Sequence, residues 1–309
     1  MARRLVRILL AAGWLLPVLG LAAVPRLTEE TNGYGESCFA VEFDGGRLLV
    51  ADPSRPGTAD RRGTRFSRGG WVDSLRDRQG RELLETTGIF PWHPGWGMPL
   101  EFRVSPELGK TPENGSLQLR PGVGILEVTD REMLQSAFPW KAESVEEKEG
   151  TLLLRFRQDG GPAECAFRLL IEFRFADGRS FFTILVRLEN RGTTDLVLEN
   201  ALHPFLVPAA DLAATRISLP AAGPEFAPHN FGLNEPGFLT VFRKRTPGWI
   251  AAENLRSGGR LRIETQPAAD HFVLWRSHRT ENFAIEPVIK RVIPPGSTAE
   301  WSFEIHPEP

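Results

Sequence analysis

Cysteine is scarce in this chain, which limits the metal sites that the chain can form. Only Cys38 and Cys165 occur among 309 residues, which is too few for a cysteine-based zinc site of the usual kind. The two thiols either form a disulfide, which an oxidising compartment would permit, or lie unpaired on buried strands. Sequence alone does not distinguish these alternatives.

The chain also lacks an excess of charge of one sign. Its formal net charge is -2, and no basic patch or acidic tail stands out, so we predict neither a nucleic-acid partner nor electrostatic membrane binding. A nucleophilic serine elbow, a phosphate loop and a dinucleotide fingerprint are all missing. His271 and His278 have no carboxylate at metal-ligand spacing. We therefore predict no cofactor and no metal.

The amino-terminal segment has the layout of a secretory signal peptide. A basic stretch, MARRLVR, precedes the apolar run ILLAAGWLLPVLGLAA, which ends in small residues before Val24. The run is shorter than the about 20 residues that a membrane-spanning helix needs. We predict a cleaved signal peptide over residues 1–23, a secreted or periplasmic protein, and no stable membrane partner beyond that segment. An uncleaved anchor is the alternative.

The rest of the chain alternates apolar and polar residues, and helical periodicity is almost absent. The clearest stretches are TLLLRFRQ, AFRLLIEFRF and SFFTILVRLEN, which are separated by turns such as Asp177-Gly178. Many strands of this kind, with turn residues between them, are typical of sandwiches of antiparallel sheets. The pattern predicts an all-β fold, a large antiparallel β-sandwich that forms a single domain over residues 24–309.

Several separated motifs together resemble one known family. They run in order as RFSRGGWVDSLRDRQGRELL, GWGMPLEF, PGVGILE, a hairpin ending in Asn190-Arg191-Gly192, ENALHPFLVP, and FAIEPVIKRVIPPGSTAEWSFEI. In this order they resemble the galactose mutarotase-like (aldose 1-epimerase) family, from about Arg65 to Ile305. The resemblance implies a supersandwich fold, a sugar or oligosaccharide as partner, and interconversion of sugar anomers.

The resemblance also implies which residues carry the chemistry. His203 stands where the family has its catalytic acid, and Glu286 where it has its catalytic base. Opening a pyranose requires a base at the anomeric hydroxyl and an acid at the ring oxygen, roles that Glu and His side chains suit. Pro287 cannot donate to a sheet ladder, which favours a position for Glu286 near a strand end, facing a cleft. The alternatives are a solvated edge-strand glutamate and a core histidine bonded to backbone.

Three further residues are candidates for sugar contact. His93 lies among aromatic residues and glycine in FPWHPGWG, Arg65 lies in TRF, and Trp275 lies in VLWRS. Aromatic faces and polar side chains are the usual lining of such sites. His229, in PHNFGLN, copies a family pattern but falls too late after the Asn190 turn, so we exclude it.

Three functions remain open at this point, one of them a structural domain of an envelope assembly, which would have an exposed apolar patch in place of a sugar-sized cleft. The first is a sugar epimerase, in which His203 and Glu286 would converge on one cleft, on opposite sides of a sugar-sized space. The second is a non-catalytic exported carbohydrate-binding protein on the same fold, since fold does not fix function. Leu202 and Pro204 flank His203, whereas the family commonly has a polar residue before this histidine.

Overall fold

A computed structural model of the chain describes residues 24–55, 63–86, 97–104, 115–128, 133–207, 214–219, 239–242, 248–276 and 282–308. Strands make up most of these residues. Beside them lies one short 3-10 helix, Ala163–Cys165. No helix in this described part of the chain has the length and apolar character needed to cross a bilayer.

The strands are numbered in chain order. They are β1 Arg26–Thr31, β2 Ser37–Phe43, β3 Gly46–Ala51, β4 Val72–Asp77, β5 Leu100–Val104, β6 Leu117–Arg120, β7 Gly124–Glu127, β8 Met133–Ala137, β9 Trp140–Lys148, β10 Thr151–Gly160, β11 Phe167–Ala176, β12 Phe182–Asn190, β13 Leu196–Leu202, β14 Phe205–Leu206, β15 Thr215–Ser218, β16 Leu239–Phe242, β17 Trp249–Asn254, β18 Arg260–Gln266, β19 His271–Arg276, β20 Phe283–Ile293 and β21 Thr298–Glu308.

The strands form four antiparallel sheets. The largest has eight strands in the order β15-β17-β18-β21-β12-β11-β10-β9, and the next has the order β16-β19-β20-β13-β5, with β14 paired to β20. A four-stranded sheet, β1-β2-β3-β4, and a three-stranded sheet, β6-β7-β8, complete the set. The predicted all-β antiparallel sandwich is confirmed. The predicted turn at Asp177-Gly178 joins β11 to β12.

The core lies between the sheets and is rich in phenylalanine. On β10, Leu152, Leu154 and Phe156 point inward and are at most 4% exposed, as the alternation of the strand dictates. Phe39 of the four-stranded sheet contacts the Phe156 ring at a centroid distance of 5.9 Å. Burying each such side chain stabilises the fold by about 1.5–3 kcal/mol.

One polar link joins the two largest sheets through this core. The indole Nε1 of Trp301, on β21, donates to Asn200 Oδ1 on β13 at 2.8 Å. Asn200 Nδ2 in turn donates to the Glu101 carbonyl of β5 at 2.9 Å. Asn200 therefore satisfies a donor from the opposite sheet and an acceptor from the neighbouring strand at once.

Neither cysteine lies in a disulfide. Cys38 is buried on β2, where its Sγ donates to Asp73 Oδ2 at 3.4 Å, and Cys165 is half-buried at the end of the short helix. Of the two alternatives that the sequence left open, the structure has the one without a disulfide.

Candidate functional site

A cleft of about 320 Å³ opens on the six-stranded sheet, on the face turned away from the core. Alternate residues of a strand point to opposite faces, so Leu100 and Phe102 enter the core while Glu101 and Arg103 face the cleft. The other strands follow the same rule. The cleft is lined by Arg65, Glu101, Arg103, Glu199, Ala201, His203, His271, Val273, Trp275, Glu286 and Val288.

Sheet register brings the charged groups together from distant parts of the chain. Ala201 on β13 pairs with Glu101 on β5 and with Val288 on β20. Val273 on β19 pairs with Glu286 on β20. Four strands thus place their side chains in adjacent rows across one surface.

His203 occupies the floor of the cleft, immediately after β13. Its backbone N–H donates to the Pro99 carbonyl at 2.9 Å, which holds this residue beside β5. The imidazole packs at 5.1 Å from the Phe66 ring and at 6.2 Å from the Phe205 ring, measured between centroids. The side chain is only 2% exposed.

Each nitrogen of the His203 ring lies against a carboxylate. Nε2 is 2.8 Å from Glu101 Oε2, and Nδ1 is 3.0 Å from Glu286 Oε1. Neither ring N–H points straight at its oxygen, so the two contacts are short ionic contacts with bent hydrogen-bond geometry. The side chains of Glu101 and Glu286 are 3% and 10% exposed. Glu286 is therefore the carboxylate of this trio that is open to the cleft.

The two carboxylates control the charge of the imidazole. Burial alone would lower the pKa of His203, but the negative charges of Glu286 and Glu101 outweigh burial, and the pKa is raised above its ordinary value. Burial would raise the pKa of Glu101, but His203 and the guanidinium groups of Arg65 and Arg103 hold it well below its usual range. The two neighbouring acidic side chains therefore favour the protonated form of the imidazole over the neutral form.

An ion-pair chain continues from this trio across the sheet. Glu101 contacts Arg65 Nε at 3.2 Å and Arg103 Nε at 2.7 Å. Arg103 reaches Glu199 at 4.0 Å, and Lys290 Nζ contacts Glu199 at 3.1 Å. Burial would lower the pKa of Arg103, but the neighbouring Glu101, Glu199 and Glu286 together outweigh burial and raise that pKa. Arg65 and Arg103 are about half exposed, so their outer nitrogens remain within reach of a ligand.

Four of the five residues selected from the sequence line this cleft. They are Arg65, His203, Trp275 and Glu286. His93, like His229, lies outside the described residues. His203 and Glu286 converge on one cleft, as expected of an epimerase, but they touch each other and do not stand across a sugar-sized space.

The structure also decides between the alternative positions considered for Glu286 and His203. A solvated edge-strand position for Glu286 is wrong, because β20 lies between β19 and β13 in the sheet and Glu286 is 7% exposed. His203 is indeed buried, but its two ring nitrogens lie against the carboxylates of Glu101 and Glu286.

Sequence reasoning missed Glu101, Arg103, Glu199 and His271 as cleft residues. The only available signal for Glu101 was a charged residue inside the apolar stretch of GWGMPLEF. No pattern there says which face of the strand it occupies.

A second cluster of potential metal ligands lies on the eight-stranded sheet and does not fit a metal. Glu264, Glu304 and His306 approach one another there. Arg262 donates to His306 Nδ1 at 3.1 Å, so the neutral ring carries its proton on Nε2, the nitrogen that faces both carboxylates. Burial and Arg262 lower the pKa of His306 to about 4. Nε2 lies 3.7 Å from Glu264 and 3.6 Å from Glu304, too far for a hydrogen bond, and the positive charge beside these carboxylates is the guanidinium of Arg262.

Comparisons with known proteins give a result only at the level of structure. No protein-family model matches the sequence, and no curated protein matches it. Among solved structures, a galactose mutarotase-like protein from Clostridium acetobutylicum has a TM-score of 0.61 at 13% identity, covering 92% of this chain and 98% of that one. A galactose mutarotase related enzyme from Lactobacillus acidophilus has a TM-score of 0.60 at 9% identity, covering 88% and 97%.

A third solved structure extends this likeness. Galactose 1-epimerase from Lactobacillus acidophilus has a TM-score of 0.51 at 9% identity, covering 92% of this chain and 98% of that one. Identities this low define the fold and nothing finer. The chain has the galactose mutarotase-like fold, and the resemblance carried by the sequence motifs is confirmed at that level.

Proposed function

We propose that the protein binds a sugar in the cleft and interconverts its anomers, with His203 as general acid and Glu286 as general base. The proposal is supported above all by one observation: the buried imidazole of His203, whose pKa is raised, lies 3.0 Å from the more exposed carboxylate of Glu286 on the floor of the cleft. The names of the solved structures with this fold make galactose the first sugar to test.

The side-by-side arrangement of acid and base suits this chemistry. The ring oxygen and the anomeric hydroxyl of a pyranose are bonded to the same carbon, so the two proton transfers occur next to each other. Glu286 takes the hydroxyl proton, His203 gives its Nδ1 proton to the ring oxygen, and the bond between that oxygen and the anomeric carbon breaks. After rotation of the open-chain aldehyde, the reverse transfers close the ring on the other face.

The remaining cleft residues suit sugar binding. Trp275, on β19, is a partly buried aromatic side chain at the cleft wall, and aromatic faces pack well against the C–H groups of sugars. The half-exposed guanidinium of Arg65 offers donors to hydroxyl groups. Galactose and glucose differ in one hydroxyl orientation, so a panel of both tests whether the polar groups select between them.

A second candidate is a non-catalytic carbohydrate-binding protein. It is favoured by a specific observation, namely that carboxylates occupy both ring nitrogens of His203 and that this side chain is only 2% exposed. Catalysis requires a sugar to enter between His203 and Glu286 and to replace their contact. If that contact does not open, the cleft binds sugar without transferring protons.

Anomer-exchange NMR with galactose and glucose separates these candidates. We expect the wild type to exchange anomers faster than buffer, and His203→Asn and Glu286→Gln to slow exchange by about 10²–10⁴-fold while sugar binding survives. His306→Asn is the matched control, since this histidine also faces carboxylates but lies on the eight-stranded sheet. Wild-type protein that binds sugar without accelerating exchange favours the second candidate. Protein that does not bind sugars contradicts both.

We also propose that the protein is exported after removal of residues 1–23, on the strength of the basic and apolar pattern described above. Amino-terminal sequencing of the protein from the periplasm or medium is expected to begin near Val24. Recovery of an intact Met1 terminus in a membrane fraction would contradict this.

A further inference from the structure

Glu101 has no part in the reaction as proposed, yet it is among the most buried charged groups of the cleft. Its side chain is 3% exposed, and both of its oxygens are engaged. Oε2 contacts His203 Nε2 at 2.8 Å and Arg65 Nε at 3.2 Å, while Oε1 contacts Arg103 Nε at 2.7 Å. A carboxylate removed from water in this way costs free energy unless its partners compensate.

The arrangement around the imidazole is directional. Glu101 approaches Nε2 from β5, and Glu286 approaches Nδ1 from β20. The two nitrogens lie on opposite edges of the ring, so a carboxylate fixed at Nε2 determines where Nδ1 points. The rings of Phe66 and Phe205 restrict the remaining rotation.

We propose that Glu101 is a positioning residue, which holds the Nε2 edge of His203 so that Nδ1 faces Glu286 and the cleft, and which keeps the imidazole charged. The positioning of the His203 ring by Glu101 is independent of any reaction. The role of Glu101 in catalysis rests on the proposed function, in which Nδ1 gives its proton to the sugar.

Glu101 also determines which tautomer of the neutral His203 ring is present after that proton has left. A neutral imidazole keeps one N–H, and the carboxylate at Nε2 favours the tautomer with the proton on Nε2. Nδ1 is then the unprotonated nitrogen, ready to take back a proton when the ring closes. The same contact therefore serves both directions of anomer exchange.

The groups facing His203 come from four parts of the described structure. Glu101 and Arg103 belong to β5, and Glu286 belongs to β20. Arg65, before β4, contacts Glu101. His271, on β19, lines the same cleft. Carboxylates are the nearest charges to the ring, and the two guanidinium groups act on it through Glu101, so the proton affinity of His203 should depend chiefly on Glu101 and Glu286.

A pH titration of the His203 ring by NMR tests this directly and needs no sugar. Glu101→Gln keeps the size and the acceptor oxygen but removes the charge. We expect the proton affinity of His203 to fall by about 10–10³-fold, the usual effect of one adjacent charge. Glu172→Gln is the matched control, because Glu172 is equally buried and also bonds two arginines, Arg155 and Arg174.

The conservative variant and the kinetics give independent readouts. Glu101→Asp keeps the charge, so we expect it to restore most of the proton affinity. In anomer exchange, Glu101→Gln should move the alkaline limb of the pH profile to lower pH by the same factor. Glu172→Gln should leave that limb unchanged.

Three results would overturn the role of Glu101. They are a wild-type His203 that titrates at its ordinary value, a Glu101→Gln variant whose His203 titrates as in the wild type, and, if that variant does not fold, a Glu101→Asp variant whose His203 has lost the raised proton affinity. A wild type that exchanges no anomers contradicts the proposed function instead, and the titration still decides the role of Glu101.

Discussion

The hydrogen bond between Trp301 and Asn200 joins the two largest sheets directly beneath the cleft. Asn200→Leu removes both functions of the amide, since it leaves the Trp301 Nε1–H and the Glu101 carbonyl without the partners they have at 2.8 and 2.9 Å. Asn200 is fully buried and Trp301 is 1% exposed, so water cannot readily replace the lost bonds.

The expected loss of stability follows from these two polar groups that are left without a hydrogen-bond partner. A buried polar group left without its partner costs about 1–3 kcal/mol, so the variant should lose about 2–6 kcal/mol of the free energy of unfolding. Leucine is similar in size to asparagine, which keeps any cavity contribution small. Because whole domains are stable by about 5–15 kcal/mol, the loss should shift the unfolding midpoint clearly.

Urea denaturation of single and double variants measures the loss of unfolding free energy and shows whether it comes from the bond between Asn200 and Trp301. Combining Asn200→Leu with Trp301→Phe removes both ends of the bond, so the double variant should lose less than the sum of the two single losses, by about 0.5–3 kcal/mol. Asn190→Leu is the control, since Asn190 donates to Thr194 and Ile293 and shares no bond with Trp301; its cost should simply add. A loss below about 1 kcal/mol for Asn200→Leu, or additive losses with Trp301→Phe, would refute this reasoning.

Three other predictions follow from the same structure. Trp275→Ala should weaken sugar binding by about tenfold, from lost aromatic packing, in calorimetric titration; unchanged affinity would mean that sugar does not contact it. Glu101 has a lowered pKa, so the stability it contributes is lost as the pH falls below its ordinary pKa of 4.5. His203 has a raised pKa, so the stability it contributes is complete below its ordinary pKa of 6.5 and is lost at higher pH. The difference in unfolding free energy between wild type and His203→Asn should therefore narrow below pH 4.5 and above pH 6.5, and a difference that does not change with pH would contradict this. Gly122→Ala should destabilise the protein by about 1–3 kcal/mol because Gly122 has a positive φ and because the added Cβ would clash with the Ser67 side chain. Gly80→Ala, which also has a positive φ but open space around it, should lower the thermal unfolding midpoint less.

The strands were predictable where one face of a strand is buried and the other is wet. On β10, Leu154 and Phe156 are fully buried while Arg155 and Arg157 pair with acidic residues on the outer face. This contrast produces strict alternation in the sequence, and the hairpin β10–β11–β12 was found within one or two residues of its actual ends.

The site was only partly predictable because it depends on strand order. Family resemblance selected His203 and Glu286, but their contact arises from the pairing of β13 and β14 with β20, which local sequence patterns do not encode. Glu101 lies between the buried residues Leu100 and Phe102 and belongs to no catalytic motif. Its importance becomes visible only when β5 pairs with β13.

The same sheet irregularity explains both the proline and the ionic contact. Pairing with β13 ends at Val288, and pairing with β14 begins at Ala284, so the residues between them have a ladder partner only on the β19 side. A proline is tolerated in an interior strand at such a break, because one side of the backbone does not require an N–H. His203 lies at the corresponding break between β13 and β14. The interruption that accommodates Pro287 therefore also lets the His203 ring reach Glu286, so restoring a regular ladder there would separate the imidazole from the Glu286 carboxylate.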